Sequence, residues 1–351
     1  MKNLSIIVLL LIIIFVSCQK EKSTEEQKAS EDVASTFDST ALATTAVDEN
    51  GDQSFLFRYK FNPGESFKYR LTTISERNQS ITTDSTMSDK LSQTIIFILN
   101  FKTLSLDADS VAELQCTFSS VNLKANANGI DINYQSGSKM DSTERQKFPE
   151  YESFLNNPFN LRVGKQGEII DIYKFDKIMN KFLSLRGLTD SLNAQEKIMA
   201  QQDMTNSSVK PLLAQIFREV PSHKMSKDST WSYKRESLPI MVFQVDYENL
   251  YKVEKLEMLG DEKLAVIDGI VKTKVTGSQT YNEKGINYLF KKPISSASGK
   301  IYFNLDKGLI QKSRSQTKME NSYSMEVPTP QGVKKANASE VTSNVNVIEL
   351  L

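Results

Sequence analysis

Residues 95–123 read IIFILNFKTLSLDADSVAELQCTFSSVNL. Two passages dense in branched and aromatic side chains, Ile95 to Leu106 and Val111 to Leu123, flank Asp107, Ala108 and Asp109, residues that favour a tight turn. That is the pattern of two long strands folded back on each other. Leu114, Cys116 and Phe118 alternate with polar neighbours, which is the two-residue period of a half-buried strand. Cys116 therefore reads as a small buried hydrophobe and not as a nucleophile.

Outward from this hairpin the same grammar recurs. Upstream, Phe67, Tyr69 and Leu71 alternate with Lys68, Arg70 and Thr72 behind a turn at Asn62, Pro63 and Gly64. Downstream, Ser229 to Ser237, with Trp231 and Tyr233, echoes Ser66 to Thr73. Val253, Leu256 and Met258, a turn at Gly260 and Asp261, and Leu264 to Val275 then follow in the order of the first unit. Each unit ends in a hairpin, Phe159 to Tyr173 turning at Gly164 to Gly167, and Gly299 to Ser313 turning at Asp306 to Gly308. The chain reads as two similar β units, 55–174 and 228–316.

Between them, residues 175–220 change period. Ile178, Met179, Phe182 and Leu185 follow Asp176 at helical spacing, and Gly187 suits a C-cap. Asn193 with Glu196 forms a capping-box pattern. Ser208 and Pro211 open a stretch with Leu212, Leu213, Ile216 and Phe217 that Pro221 stops. A shorter helix is expected from Pro149 to near Asn157. After Ser324 a polar, Pro-rich loop is expected before a closing strand with Val341, Val345, Val347 and Leu350, within a C-terminal region 324–351. The fold class is therefore α+β and β-dominated: a curved antiparallel sheet or half-open barrel from two β units, with an intervening helical lid.

Ahead of the domain at 54–351, residues 19–53 are rich in Ser, Thr, Glu, Lys and Ala, a composition too poor in apolar surface to offset the entropy of ordering. Residues 18–53 thus read as a tether. The first seventeen residues place Lys2 before an apolar run from Ile6 to Val16 and small Ser17, leading into Cys18. Residues 4–16 would rise only about 20 Å as a helix, short of a bilayer core of roughly 30 Å. Phe15, Val16, Ser17 and Cys18 resemble the lipobox of bacterial lipoproteins, with Phe where that pattern prefers Leu. The resemblance implies cleavage before Cys18, a lipid on its thiol, and a Gram-negative envelope. Gln19 in place of Asp implies the outer membrane, and the periplasmic side is favoured over the cell surface.

The 43 basic and 43 acidic residues balance, so no long-range field would draw nucleic acid, and none is expected as a partner. His223 is the only histidine and cannot build a multi-histidine metal site. No Gly-x-Ser-x-Gly elbow accompanies it. The acidic pairs Asp107 with Asp109, Asp131 with Asn133, and Asp261 with Glu262 all fall at turns, where Asp is favoured by its bonds to nearby backbone. Trp231 reads as packing, with a sugar platform as the lesser alternative. No catalytic residue, metal or cofactor is expected. Six Asp-Ser tripeptides resemble an O-glycosylation signal of some Gram-negative envelopes, and Ser39, in the tether, is the best candidate.

Pro63, Gly64, Glu65, Phe67 and Tyr69, together with Gly308, Leu309 and Ile310, resemble uncharacterised β-rich envelope lipoproteins. That resemblance spans most of residues 55–316 and brings no catalytic residues. At the level of architecture the chain also looks like periplasmic carriers of lipids and lipoproteins, whose half-open barrel holds acyl chains. Three readings stay open. The first is a non-enzymatic lipoprotein binding a lipid or other hydrophobic ligand under Ile178, Phe182, Leu213 and Phe217. The second is a structural subunit meeting an envelope protein partner, and the third an envelope hydrolase.

Overall fold

The computed structural model describes residues 42–47, 54–329 and 332–351. Cys18, Ser39, the signal segment and most of the tether lie outside these residues.

The alternation around Tyr69 and Phe97 builds two cross-strand rows on one face of an antiparallel sheet. Leu350, Tyr69, Leu99 and Phe118 stand opposite one another, as do Ile348, Leu71, Phe97 and Val121. All but partly buried Leu350 are 6 % exposed or less. The strands carrying them are β2 (Ser66–Thr82), β3 (Thr86–Leu106), β4 (Ala112–Ala127) and β15 (Gly332–Leu350). The others are β1 (Thr45–Ala46), β5 (Ile130–Gln135), β6 (Phe159–Val163), β7 (Ile169–Tyr173), β8 (Thr230–Ile240), β9 (Phe243–Leu259), β10 (Glu262–Gly277), β11 (Thr280–Glu283), β12 (Ile286–Phe290), β13 (Ile294–Asn304) and β14 (Leu309–Thr329).

All fifteen belong to one open, curved sheet, ordered β1-β9-β10-β13-β14-β15-β2-β3-β4-β6-β7, with β8 on β9, β5 on β4, and the β11–β12 hairpin on β14. The pairing order β2-β3-β4-β6-β7 of the first half is matched by β8-β9-β10-β13-β14 in the second. The two halves meet through β15, which pairs with both β14 and β2. The terminal strand is therefore central. The expected loop after Ser324 is strand instead, because β14 runs to Thr329 and its last residues pair with Gly332 to Ala336.

Helices cover the apolar end of one face. They are α1 (Ser142–Arg145), α2 (Pro149–Phe154), α3 (Asp176–Leu185), α4 (Ala194–Met204) and α5 (Lys210–Ile216). Asp141 and Asn193 form capping boxes with Glu144 and Glu196, each satisfying backbone donors that a helix start leaves open. The expected start at Ser208 is not a boundary, since a π-helical turn, Thr205–Val209, carries α4 into α5. Pro211, which has no N–H to give, falls just after this π-helical turn, where the regular bonding pattern is already interrupted.

An extended segment, 55–61, lies beneath the helices. Phe57, Tyr59 and Phe61 are at most 5 % exposed and pack edge-on or stacked against Phe303, Phe217 and Phe67. At the opposite end of the same face Phe243, Val245 and Phe290 form a second, smaller cluster with Tyr288 and Tyr323.

Candidate functional site

Between the two clusters the inward face turns polar within single strands. On β2 the sequence of inward positions runs Tyr69, Leu71, Thr73, Ser75 and Arg77, and on β15 it runs Ile348, Asn346, Asn344 and Thr342. Cross-strand pairing assembles these into rows. Ala297, Thr317, Asn344, Ser75 and Gln93 form one; Ser295, Met319, Thr342, Arg77 and Leu91 form the next. Neighbours in a row lie about 5 Å apart along the hydrogen-bonding direction.

These rows floor a cavity of about 1240 Å³. Its other wall is the lid: Pro211, Ala214 and Phe217 from α5 and the residue after it, with Ile169 at the start of β7. The cavity thus has a sheet wall rich in hydroxyls and amides, interrupted by Leu91, Val271 and Met319, and a lid wall in which Ile169, Pro211, Ala214 and Phe217 stand among Glu168, Asn206, Lys210 and Glu219.

The lid is tied down at the β6–β7 turn. Val220 donates its backbone N–H to Gln166 O at 2.9 Å, and Tyr59 Oη donates to Arg218 O at 3.1 Å and to Ile216 O at 3.3 Å. Arg235 on β8 pairs with Glu219 at 3.0 Å, so residues 217–220 bridge the two flanks of the sheet. Burial holds the Tyr59 hydroxyl protonated far above its ordinary range, and the same cause raises Tyr247 and Tyr233 on the β9–β8 side.

Five basic and five acidic side chains line the cavity, so its formal charge cancels. Several are engaged locally, as in Arg235 with Glu219 and Lys318 with Glu320 at 2.7 Å. On the floor Ser75 Oγ donates to Asn344 Oδ1 at 2.6 Å, and Thr73 Oγ1 donates to Asn346 Oδ1 at 2.9 Å. Gln93, 5 % exposed, keeps its buried Oε1 without a hydrogen-bond partner, as does Asn321 Oδ1, at 7 %. Such orphans cost roughly 1–3 kcal/mol each and call for an explanation.

Of the four expected lining residues, only Phe217 stands on the cavity wall. Ile178 and Leu213 are wholly buried in the main core, and Phe182 packs between helices with Met179 and Leu183. Phe217 itself packs edge-on to Phe101, 5.3 Å between centroids. The floor residues were missed because sequence reading weighted apolar faces; the signal was the switch from apolar to polar at inward positions of β2, β3 and β15.

The remaining candidates take structural places. His223 is exposed in a loop. Asp107 Oδ1 accepts from the Asp109 and Val111 backbone N–H groups at 3.0 and 2.9 Å, and these bonds hold its carboxyl below the usual range. Trp231 stacks on Tyr251, 5.1 Å between centroids, whose ring lies over Gly269. Among the described residues no three His, Cys, Asp or Glu side chains gather as a metal site. Cys116 is wholly buried, and burial pushes its thiol well above the ordinary range. Iodoacetamide is therefore expected to leave Cys116 unmodified in the folded chain and to alkylate it once urea unfolds the domain; rapid native labelling, read by peptide mass, would refute that burial.

A family model described as a family of unknown function, DUF6263, matches residues 109–310, so the chain belongs to that family. No curated protein matches the chain. Among solved structures, one described as lipid–protein interactions in lipovitellin is similar over 83 % of this chain and 25 % of that one, at 12 % identity and a TM-score of 0.40. The chain thus spans a quarter of lipovitellin's length. OccK5 (OpdH) of Pseudomonas aeruginosa is similar over 82 % of this chain and 98 % of that one, at 6 % identity and TM-score 0.20. The COG4313 outer membrane channel of Pseudomonas putida F1 covers 87 % and 100 %, at 6 % identity and TM-score 0.17. At these scores none of the likenesses bears on fold or function.

Proposed function

We propose that this DUF6263 member is an envelope protein, tethered to a membrane by lipid on Cys18, that binds an elongated amphipathic ligand in its trough and catalyses no reaction. The observation that carries the reading is the cavity of about 1240 Å³ between a polar sheet wall and a lid that brings Ile169, Pro211, Ala214 and Phe217 to it. Pockets that hold drug-sized molecules run roughly 300–1,000 Å³, so this one suits a longer ligand. Hydroxyl and amide rows facing a cluster of apolar lid side chains match a molecule with a hydrogen-bonding part and a hydrocarbon part.

The tether's described end supports the geometry. Thr45 and Ala46 pair with Met258 and Glu257 beside the β9–β10 turn, at the end of the sheet opposite the β2–β3 and β14–β15 turns. A membrane-bound chain would present the trough away from its anchor point.

The test is organic extraction of the full chain purified from an envelope compartment, with mass spectrometry of both protein and extract. A stoichiometric amphiphile, together with a diacylglycerol mass on the N-terminal Cys18 peptide, is the expected result. A chain that never carries or takes up an amphiphile would overturn the binding reading.

A protein-partner role is the second reading. Met87, Ile294 and Val333, each more than 60 % exposed, favour it. Crosslinking in cells to one stoichiometric protein through Met87 or Val333 would support it.

A further inference from the structure

We infer that the trough recognises an uncharged, hydroxyl-bearing head group, the chemistry of a sugar, on the floor formed by Ser75, Gln93, Asn344 and Thr342. The inference rests on the amphiphile-binding reading and names its ligand class.

Three observations converge. Gln93 is 95 % buried by its 5 % exposure, lines the cavity, and has an acceptor, Oε1, without a partner. That oxygen has almost no exposed surface, so a ligand hydroxyl would satisfy it once the amide turns toward the cavity. In the same row but two strands away, with Ser75 between them, Asn344 spends its Oδ1 on Ser75 and keeps its amide N–H groups as donors. An acceptor and a donor two strands apart, about 10 Å across the row, suit a ligand with several hydroxyls, each of which both donates and accepts, and do not suit a phosphate or carboxylate, which only accepts. Thr342 continues the floor by one inward position.

Charge argues the same way. The five basic and five acidic lining groups cancel, and Arg235 and Lys318 already face Glu219 and Glu320. A phosphate or carboxylate entering this cavity would lose its hydration without gaining a surplus of positive charge, a poor exchange. A neutral polyol loses less and regains hydrogen bonds to the floor. A site built to hydrogen-bond hydroxyls also rejects ligands lacking them, because its own polar groups are then left unpaired.

The test uses the full chain held in lipid nanodiscs whose scaffold lacks tryptophan. Trp231, the only tryptophan, sits on β8 two positions from Tyr233, whose cross-strand partner Asn249 lines the cavity, and its fluorescence reports binding. The probes are n-hexyl β-maltoside, n-hexylphosphocholine and maltose, chosen for low partitioning into the disc. Saturable binding of hexyl maltoside, about tenfold weaker in Gln93→Leu and in Thr342→Val, is expected, with hexylphosphocholine weaker in the native chain. Thermal unfolding of each variant checks that the trough is intact, and Thr342→Val serves should Gln93→Leu not fold. Maltose binding as tightly as hexyl maltoside would support the hydroxyl chemistry and make a free saccharide its source. Hexylphosphocholine binding as tightly as hexyl maltoside would overturn the head assignment and leave the amphiphile reading standing. No binding of either amphiphile would overturn both.

Discussion

Phe57→Ala is expected to remove about 3–5 kcal/mol of stability, the range for truncating a large aromatic in a core that cannot collapse around the cavity. Phe57 is 0 % exposed, and its ring centroid lies 5.1 Å from Phe55, 5.2 Å from Phe303 and 5.6 Å from Trp231. The side chain therefore joins the segment at 55–61 to β13 and β8. Those strands lie on either side of β9 and β10, so the empty space cannot be closed by one strand shifting. Urea unfolding followed by Trp231 fluorescence reads the loss, since the indole borders the removed ring. A change under 1 kcal/mol would mean that segment 55–61 is a surface strap and no part of the core.

The second large effect falls on the lid. Gly167 has φ +87°, and a Cβ there would stand 2.5 Å from Arg218 O and 2.5 Å from the Tyr59 ring. Arg218 O is the atom that Tyr59 Oη holds, and the neighbouring Gln166 O holds Val220. Gly167→Ala should cost about 2–4 kcal/mol, roughly 1–2 from the left-handed backbone and the remainder from displacing the lid. Gly187→Ala is the control. Its φ is +67° but nothing lies within 4 Å of the new methyl, so only the backbone cost of about 1–2 kcal/mol is expected. Amide exchange should separate the two further, with residues 210–220 opening in Gly167→Ala alone. Equal losses in both variants would show that the lid is not seated on the β6–β7 turn.

The pattern around residues 95–123 was sufficient for the strands because burial on one face leaves its mark at every second position, and Asp107 to Asp109 marked the turn through local backbone bonds. Helix starts were legible where side chain and backbone cap each other, as at Asn193 and Glu196. They were not where a π-turn let α4 run on through Ser208. The stretch after Ser324 misled for a different reason: Pro328 and its polar neighbours carry little strand signal, and their pairing with β15 is what makes them strand. The segment at 55–61 had the right alternation, but alternation does not say whether a strand pairs or, as here, lies buried across others.

The trough divides the two kinds of information most clearly. Sequence by itself determined a β-dominated chain with a helical insert, balanced charge, and a single histidine. It also carried the run of inward positions from Leu71 to Arg77. Only the tertiary structure decided that β15 enters between β14 and β2, and so sets Asn344 beside Ser75, with Gln93 on the far side of Ser75, from residues more than 250 positions apart. Only it decided that Ile178 and Leu213 fill the core while Phe217 faces the cavity. The physical reason is that an apolar side chain is placed inward by the hydrophobic effect wherever it lies, whereas whether inward means packed or lining depends on what the opposite wall brings to meet it.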